Sequence, residues 1–214
     1  FCTPGFIVSL TGYCLSDAAH RPDAAIESIN GNICRCTGYK SIERAVEHIE
    51  FLLAQRKESD ALQYAMEHDV VPAYFASIPD RLARLHQPAA SESGKIVGGG
   101  TDLYVQQHDV MPHTSIRPLT RDAQLNYIRE ENGYCTLGAA VTVTDLAESA
   151  LMKRILPNLA QPIKLVSSTP IRNMATLAGN LVNASPIGDF SIMLLALDAC
   201  LELQSPTGSR TIPL

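Results

Sequence analysis

The chain has 214 residues, enough for one or two domains at roughly 100–200 residues each. Hydrophobic residues make up 46% and charged residues 18%, so a buried core is readily built and disorder is not expected. A net charge of −5 argues against holding a polyanion, and no apolar run reaches the roughly 18 residues needed to span a bilayer. No nucleic-acid partner and no membrane are therefore expected. No basic segment followed by an apolar core opens the chain, so no signal peptide is read. The chain begins Phe1-Cys2-Thr3 without Met and ends on the apolar Thr211-Ile212-Pro213-Leu214, which reads as a fragment.

Thr3-Pro4-Gly5 before Phe6-Ile7-Val8-Ser9-Leu10 predicts a first helix, with Thr3 as N-cap and Pro4 at the first helical position. Asp23 is expected to cap a second short helix through Ile26 and Ile29, stopped by Asn30-Gly31. A third helix is expected to start at a Ser41 cap, with Glu43 in its first turn. Ile42, Ala45, Val46, Ile49, Leu52 and Leu53 fall along one of its faces, and it fades near Gln55–Lys57. Between the second and third helices lies Cys34-Arg35-Cys36, flanked by Asn30-Gly31-Asn32 and Thr37-Gly38. A C-x-C pair rarely closes on itself as a disulfide, but its sulfurs can converge on a metal. Clustered thiols without a secretory signal read as ligands or catalytic groups in a reducing compartment. Cys14, Cys135 and Cys200 each lack a nearby partner in sequence and read as small packed hydrophobes.

Residues 57–90 are polar and carry Pro72, Pro79 and Pro88; they read as a linker with helical pieces at Asp60–Glu67 and Asp80–Leu85. Ala89–Gly94 is a turn-rich approach to the next unit. Lys95-Ile96-Val97 is then a strand leading into Gly98-Gly99-Gly100-Thr101-Asp102. Tyr134–Val143 has β character, Asp145–Ala150 is helical with Leu151–Leu156 as a continuation, and Ile163–Val166 fits strand or helix. Asp189–Asp198 is an apolar helix, and Leu201–Leu203 a strand ending in a turn at Pro206-Thr207-Gly208. The alternation indicates an α/β or α+β domain.

Gly98–Thr101 has the form of a glycine turn whose N–H groups approach phosphate oxygens closely. A plain tight turn is the competing reading. The segment is neither a dinucleotide fingerprint, since Leu103 stands where its last glycine belongs, nor a P-loop. Ala175–Asn180 offers a second small-residue turn with Thr176, Gly179 and Asn180. Asp189 reads either as an N-cap or as an acceptor for a ribityl or ribose hydroxyl. Two such turns with an acidic residue suit a dinucleotide gripped on both sides of its pyrophosphate. His108 and His113 beside Pro112 read as solvated loop in preference to a metal pair.

Together, Cys2-Thr3-Pro4-Gly5 and Gly31-Asn32-Ile33-Cys34-Arg35-Cys36-Thr37-Gly38-Tyr39 resemble the second iron–sulfur domain of the xanthine dehydrogenase family. The resemblance implies that Cys2, Cys34 and Cys36 are three of the ligands to one [2Fe–2S] cluster, with the first lying before Phe1. Ile96–Leu103 resembles the family's first pyrophosphate loop, and Thr176-Leu177-Ala178-Gly179-Asn180 its second, with Ala178 in place of a glycine. Asn183-Ala184-Ser185-Pro186-Ile187-Gly188-Asp189 also resembles the family. The implied FAD contacts are Val97, Gly98, Gly99, Gly100, Thr101, Asp102, Leu103, Thr176, Gly179, Asn180 and Asp189; no catalytic residue is implied in this chain.

The implied architecture is multidomain. A helical [2Fe–2S]-binding domain (1–56) and a linker (57–90) precede an α+β FAD-binding domain (91–214). That domain is of the carbon monoxide dehydrogenase/vanillyl-alcohol oxidase type, not Rossmann. The implied role is an electron relay. Electrons from a molybdenum cofactor on a partner subunit or domain pass through [2Fe–2S] clusters to FAD and on to NAD, in a cytoplasmic hetero-oligomer that oxidises xanthine. Two alternatives stay open: the same relay serving an aldehyde or another N-heterocycle, and a non-redox module in which the thiols hold zinc.

Overall fold

The computed structural model describes residues 2–16, 23–57, 60–85 and 93–214. The chain divides into two compact units, Phe1–Pro88 and Ala89–Leu214.

The first unit is helical. Helix α1 (Thr3–Cys14) is followed by α2 (Ala24–Ser28), α3 (Lys40–Leu53), α4 (Ala61–Glu67) and α5 (Ile78–Ala83). Pro4 sits in the first turn of α1, but Thr3 is already helical; Cys2 precedes the helix and no side chain caps it. Neither Asp23 nor Ser41 acts as a cap. Asp23 is left-handed (φ 69°), and α3 begins two residues early, after a left-handed Tyr39 (φ 66°) in the cap position. Gly38 is left-handed as well (φ 61°), so two successive residues swing the chain from the Cys loop into α3. The buried face of α3 is narrower than its apolar pattern: Ile42, Val46, Ile49 and Leu53 pack inward while Ala45 and Leu52 are exposed. These side chains meet Phe6, Leu10 and Tyr13 of α1, Ala24 and Ala25 of α2, and Cys34. Helix α4 is capped by Asp60, which accepts from the N–H groups of Leu62 and Gln63, and it adds Tyr64 to the same core.

The second unit contains three two-stranded sheets among the described residues. Of the turn-rich approach expected over Ala89–Gly94, residues 89–92 lie outside the described residues. Strand β1 (Lys95–Val97) pairs in parallel with β2 (Ile116–Pro118), and the short helix α6 (Leu103–Gln106) lies between them in sequence. Strands β3 (Ile128–Glu131) and β4 (Tyr134–Leu137) form a hairpin. Its turn, Asn132-Gly133, has positive φ at both residues (52° and 81°), the geometry whose twist matches that of the strands.

Helices α7 (Val143–Glu148), α8 (Ala150–Ile155), α9 (Ala160–Leu165), α10 (Thr169–Arg172), α11 (Leu177–Asn183) and α12 (Asp189–Ala196) follow, then a hairpin of β5 (Cys200–Ser205) and β6 (Gly208–Pro213). Helix α7 carries a full capping box between Thr142 and Asp145 and stops at Ser149, which caps α8. The ambiguous Ile163–Val166 is largely helix α9. The core consists of Val141, Val143, Leu146, Met152, Leu159, Ile163, Leu177 and Phe190. No open parallel sheet of the Rossmann kind occurs among the described residues. Cys14 is buried, but Cys135 and Cys200 are exposed, which corrects the reading of all three as packed residues. Both residues lie on two-stranded hairpins; the Cys135 sulfur nevertheless reaches inward to Met152 Sδ at 3.6 Å.

Candidate functional site

The Cys loop is held against the start of α1 by its own neighbours. Asn32 accepts a hydrogen bond from the Ser9 hydroxyl at 2.8 Å, and its amide nitrogen would stand 3.0 Å from a Cβ at Gly5. The Tyr39 ring packs edge-on against Phe6 (6.5 Å between centroids), and its hydroxyl accepts from the Cys34 N–H at 2.9 Å. Gly5, Asn32 and Tyr39 thus bring the loop to the helix end that carries Cys2.

Cys34 is buried, yet its thiol is driven down to about 6. The largest cause is the Thr37 hydroxyl, 3.4 Å from Sγ. The Cys36 N–H, donating to Sγ at 3.4 Å, and the Thr37 N–H lower it further, as does the Cys2 side chain; burial opposes them. The loop therefore places hydrogen-bond donors where a thiolate charge would lie. Thiolates bound to iron–sulfur clusters are stabilised in this way, so the donor set fits the group. The side chains of Cys2 and Cys34 interact, while the Cys36 thiol is exposed. Among the described residues, no three His, Cys, Asp or Glu side chains are gathered as a ready metal site. His108 and His113 are both exposed, and His108 lies 3.3 Å from the Asp109 carboxylate.

In the second unit the two small-residue segments face each other. A Cβ on Gly99 would fall 1.7 Å from the Met174 carbonyl oxygen, and one on Gly98 would fall 2.5 Å from Thr176 Oγ1. Gly100 is left-handed (φ 72°). The loop can approach residues 174–176 only because it carries no side chains there. The N–H groups of Gly98 to Asp102 donate to no other group among the described residues. They are available to an anion.

Residues 175–177 are anchored from behind. The Val143 N–H donates to the Ala175 carbonyl at 3.0 Å, and the Leu177 N–H to the Val141 carbonyl at 3.1 Å. The second segment is the start of helix α11, not a turn: Thr176 Oγ1 accepts from the Gly179 N–H at 3.1 Å.

A cleft of about 520 Å³ runs between these elements. Gly98, Gly99, Gly100, Thr101, Asp102, Leu103, Thr176, Gly179, Asn180 and Asp189 all line it. Val97 is 3% exposed and belongs to the interior; its neighbour Ile96, 60% exposed, lines the cleft instead. Gly188 occupies the cap position of α12, and Asp189 is the first helical residue with its carboxylate exposed. Val166, Ser167, Ile171 and Phe190 also line the cleft. They carry no turn or glycine signal, so sequence pattern alone does not single them out.

The lining is chemically mixed. Val182 and Ile187, both strongly exposed, contribute apolar surface to its lining. Asn180 Oδ1 is buried and has no hydrogen-bond partner among the described residues. Free N–H groups, an unpartnered acceptor and exposed apolar walls fit a ligand that combines pyrophosphate, hydroxyls and aromatic rings. The site is thus that of a dinucleotide-binding domain outside the Rossmann class, on a chain that also carries a thiolate loop.

Comparison with known proteins places that class in a family. Residues 72–214 match the FAD binding domain in molybdopterin dehydrogenase, and residues 1–47 match a [2Fe-2S] binding domain. The chain belongs to this molybdopterin dehydrogenase FAD-binding family and joins an iron–sulfur domain to it. It is 35% identical to the xanthine dehydrogenase FAD-binding subunit of Escherichia coli O157:H7 over 130 residues, which are 59% of this chain and 44% of that one. An alignment with xanthine dehydrogenase of Drosophila pseudoobscura pseudoobscura spans 99% of the chain and 20% of the relative at 26% identity. The chain therefore spans less than half the length of these relatives. Quinoline 2-oxidoreductase from Pseudomonas putida 86 shares the fold: the TM-score is 0.51 at 23% identity, over 56% of this chain and 42% of that one. No described helix is long and apolar enough to cross a membrane.

Proposed function

We propose that this chain is the electron-relay part of a molybdenum hydroxylase that acts on xanthine and passes electrons to NAD. Its partner is a molybdenum-cofactor subunit or domain, in a cytoplasmic hetero-oligomer. When bound, the cluster and the flavin supply the electron-carrying chemistry; the chain's residues hold them, orient them and exclude water. Cys2, Cys34 and Cys36 give thiolates to the cluster. The loop from Gly98 to Asp102 faces the pyrophosphate, Asn180 accepts a ligand hydroxyl, and Asp189 takes a second hydroxyl at the start of α12. The observation that carries this reading is the meeting of both glycine segments in one cleft, beside an acceptor left unpartnered.

The test uses the full-length protein with its partner subunit. A red-brown absorbance that bleaches on addition of xanthine and returns with NAD is expected, together with FAD released on denaturation. Bleaching by an aldehyde and not by xanthine would transfer the relay to another substrate. Zinc without iron or sulfide would point to a structural metal.

A further inference from the structure

Arg172 is the only charged side chain among the buried described residues, at 7% exposed. It has no carboxylate partner among the described residues. Its guanidinium donates to backbone carbonyls instead: Ser167 at 2.7 Å, Val166 at 3.0 Å and Lys164 at 3.4 Å. The second terminal nitrogen donates to Thr169 Oγ1 at 2.8 Å. All four acceptors lie in the segment that ends α9 and enters α10. The last carbonyls of a helix have no partner within it, and a cation placed there satisfies them and suits the negative end of the helix dipole. Hydrogen bonds of this kind offset the cost of burying the charge.

We infer that Arg172 is a positioning residue for FAD: it pulls the 164–169 loop inward and so builds one wall of the cofactor cleft. Three observations join the arginine to the cleft. Val166 and Ser167, whose carbonyls it holds, line the cleft, as does Ile171 beside it. Ser167 is left-handed (φ 55°), a conformation that a serine keeps only when something holds it there. On the other side, Arg172 leads through Asn173 into Met174, whose carbonyl backs Gly99. The Asn173 side chain is fixed in turn by the Thr144 hydroxyl at 2.6 Å. One side chain thus sets the separation between the 166–171 wall and the glycine loop. Without it, three carbonyls would turn to water and the wall would move outward. Lysine cannot replace it, because a single ammonium on a flexible stem cannot span the same set of acceptors in fixed geometry.

This inference rests on the cleft being the FAD site. Its test is flavin binding by the full-length protein, followed by fluorescence quenching for wild type, Arg172→Met and Arg172→Lys. Iron content and far-UV circular dichroism of each are recorded alongside. Both variants are expected to keep the iron and the helical signal while losing at least tenfold in FAD affinity. Free guanidinium at millimolar concentration is expected to restore part of the loss in Arg172→Met. The losses for the fragments FMN and ADP should be unequal, because only one wall is displaced. Equal FAD affinity in wild type and both variants would overturn the inference and leave the FAD site standing. So would equal loss of both fragments with loss of circular dichroism, which is general collapse. A wild-type protein that binds no FAD would overturn the underlying reading itself.

Discussion

At Gly99 the backbone comes so close to Met174 that a methyl group would stand 1.7 Å from a carbonyl oxygen, and that oxygen belongs to main chain that cannot swing aside. Gly99→Ala is therefore expected to force the loop off residues 174–176. Overpacking of this kind costs about 1–3 kcal/mol. A lower thermal midpoint and a weaker FAD affinity should appear together; wild-type values for both would mean that the two segments do not meet as described. The three glycines are legible in the sequence as a turn after a strand. What they approach is not, because Met174 lies far along the chain and carries no mark of the contact. Cys14 makes a different claim. Burial pushes its thiol above the ordinary 9.0, with the Arg56 charge opposing. Above that pH the unfolded chain ionises Cys14 while the folded one keeps it protonated, so stability falls as pH rises. Between pH 8 and 10 the wild type should lose more stability to urea than Cys14→Ala, because other titrations are common to both. An equal loss would contradict the burial effect.

Elements are legible in the sequence where the signal is local and hidden where it is not. Helix α3 announces itself by the spacing of Ile42, Val46, Ile49 and Leu53. Its first residue does not, because the start is set by two left-handed residues, Gly38 and Tyr39, and not by a side-chain cap at Ser41. The reverse happens at α11. Ala178-Gly179-Asn180 has the composition of a turn, yet Thr176 caps a helix there and Leu177 is buried in the core. Thr176→Val keeps the shape and removes the cap, which should cost about 1 kcal/mol in denaturant unfolding. An unchanged midpoint would show that α11 is held by packing alone. Strand β2 lacks an apolar run and exists only through its pairing with β1. Strand β3 could have been read from Asn132-Gly133, a two-residue hairpin signal with polar flanks that hid it. The linker segment shows the limit of composition: Asp60–Glu67 is polar enough to read as a connection, and Tyr64 still packs into the first core.

At the scale of the whole molecule, each unit has its own apolar core and presents its own chemistry at a loop between elements. The iron–sulfur domain was the more legible, because the flanks of Cys2, Cys34 and Cys36 are specific, and residues 1–47 match that domain. The cleft was legible in its two glycine segments and in Asp189. The wall at Val166–Ile171 was not, because it is shaped from within by a buried arginine. Asp189→Ala is expected to weaken FAD retention severalfold with iron unchanged, as read by FAD released per protein; full retention would leave Asp189 as a helix-start residue only. Cofactor content of the full-length Cys36→Ser protein tests the account most directly. Iron and acid-labile sulfide corresponding to one [2Fe–2S] cluster should disappear while FAD stays at its wild-type content. Retention of all the iron, or loss of FAD along with the cluster, would contradict the assignment of the two cofactors to these two units.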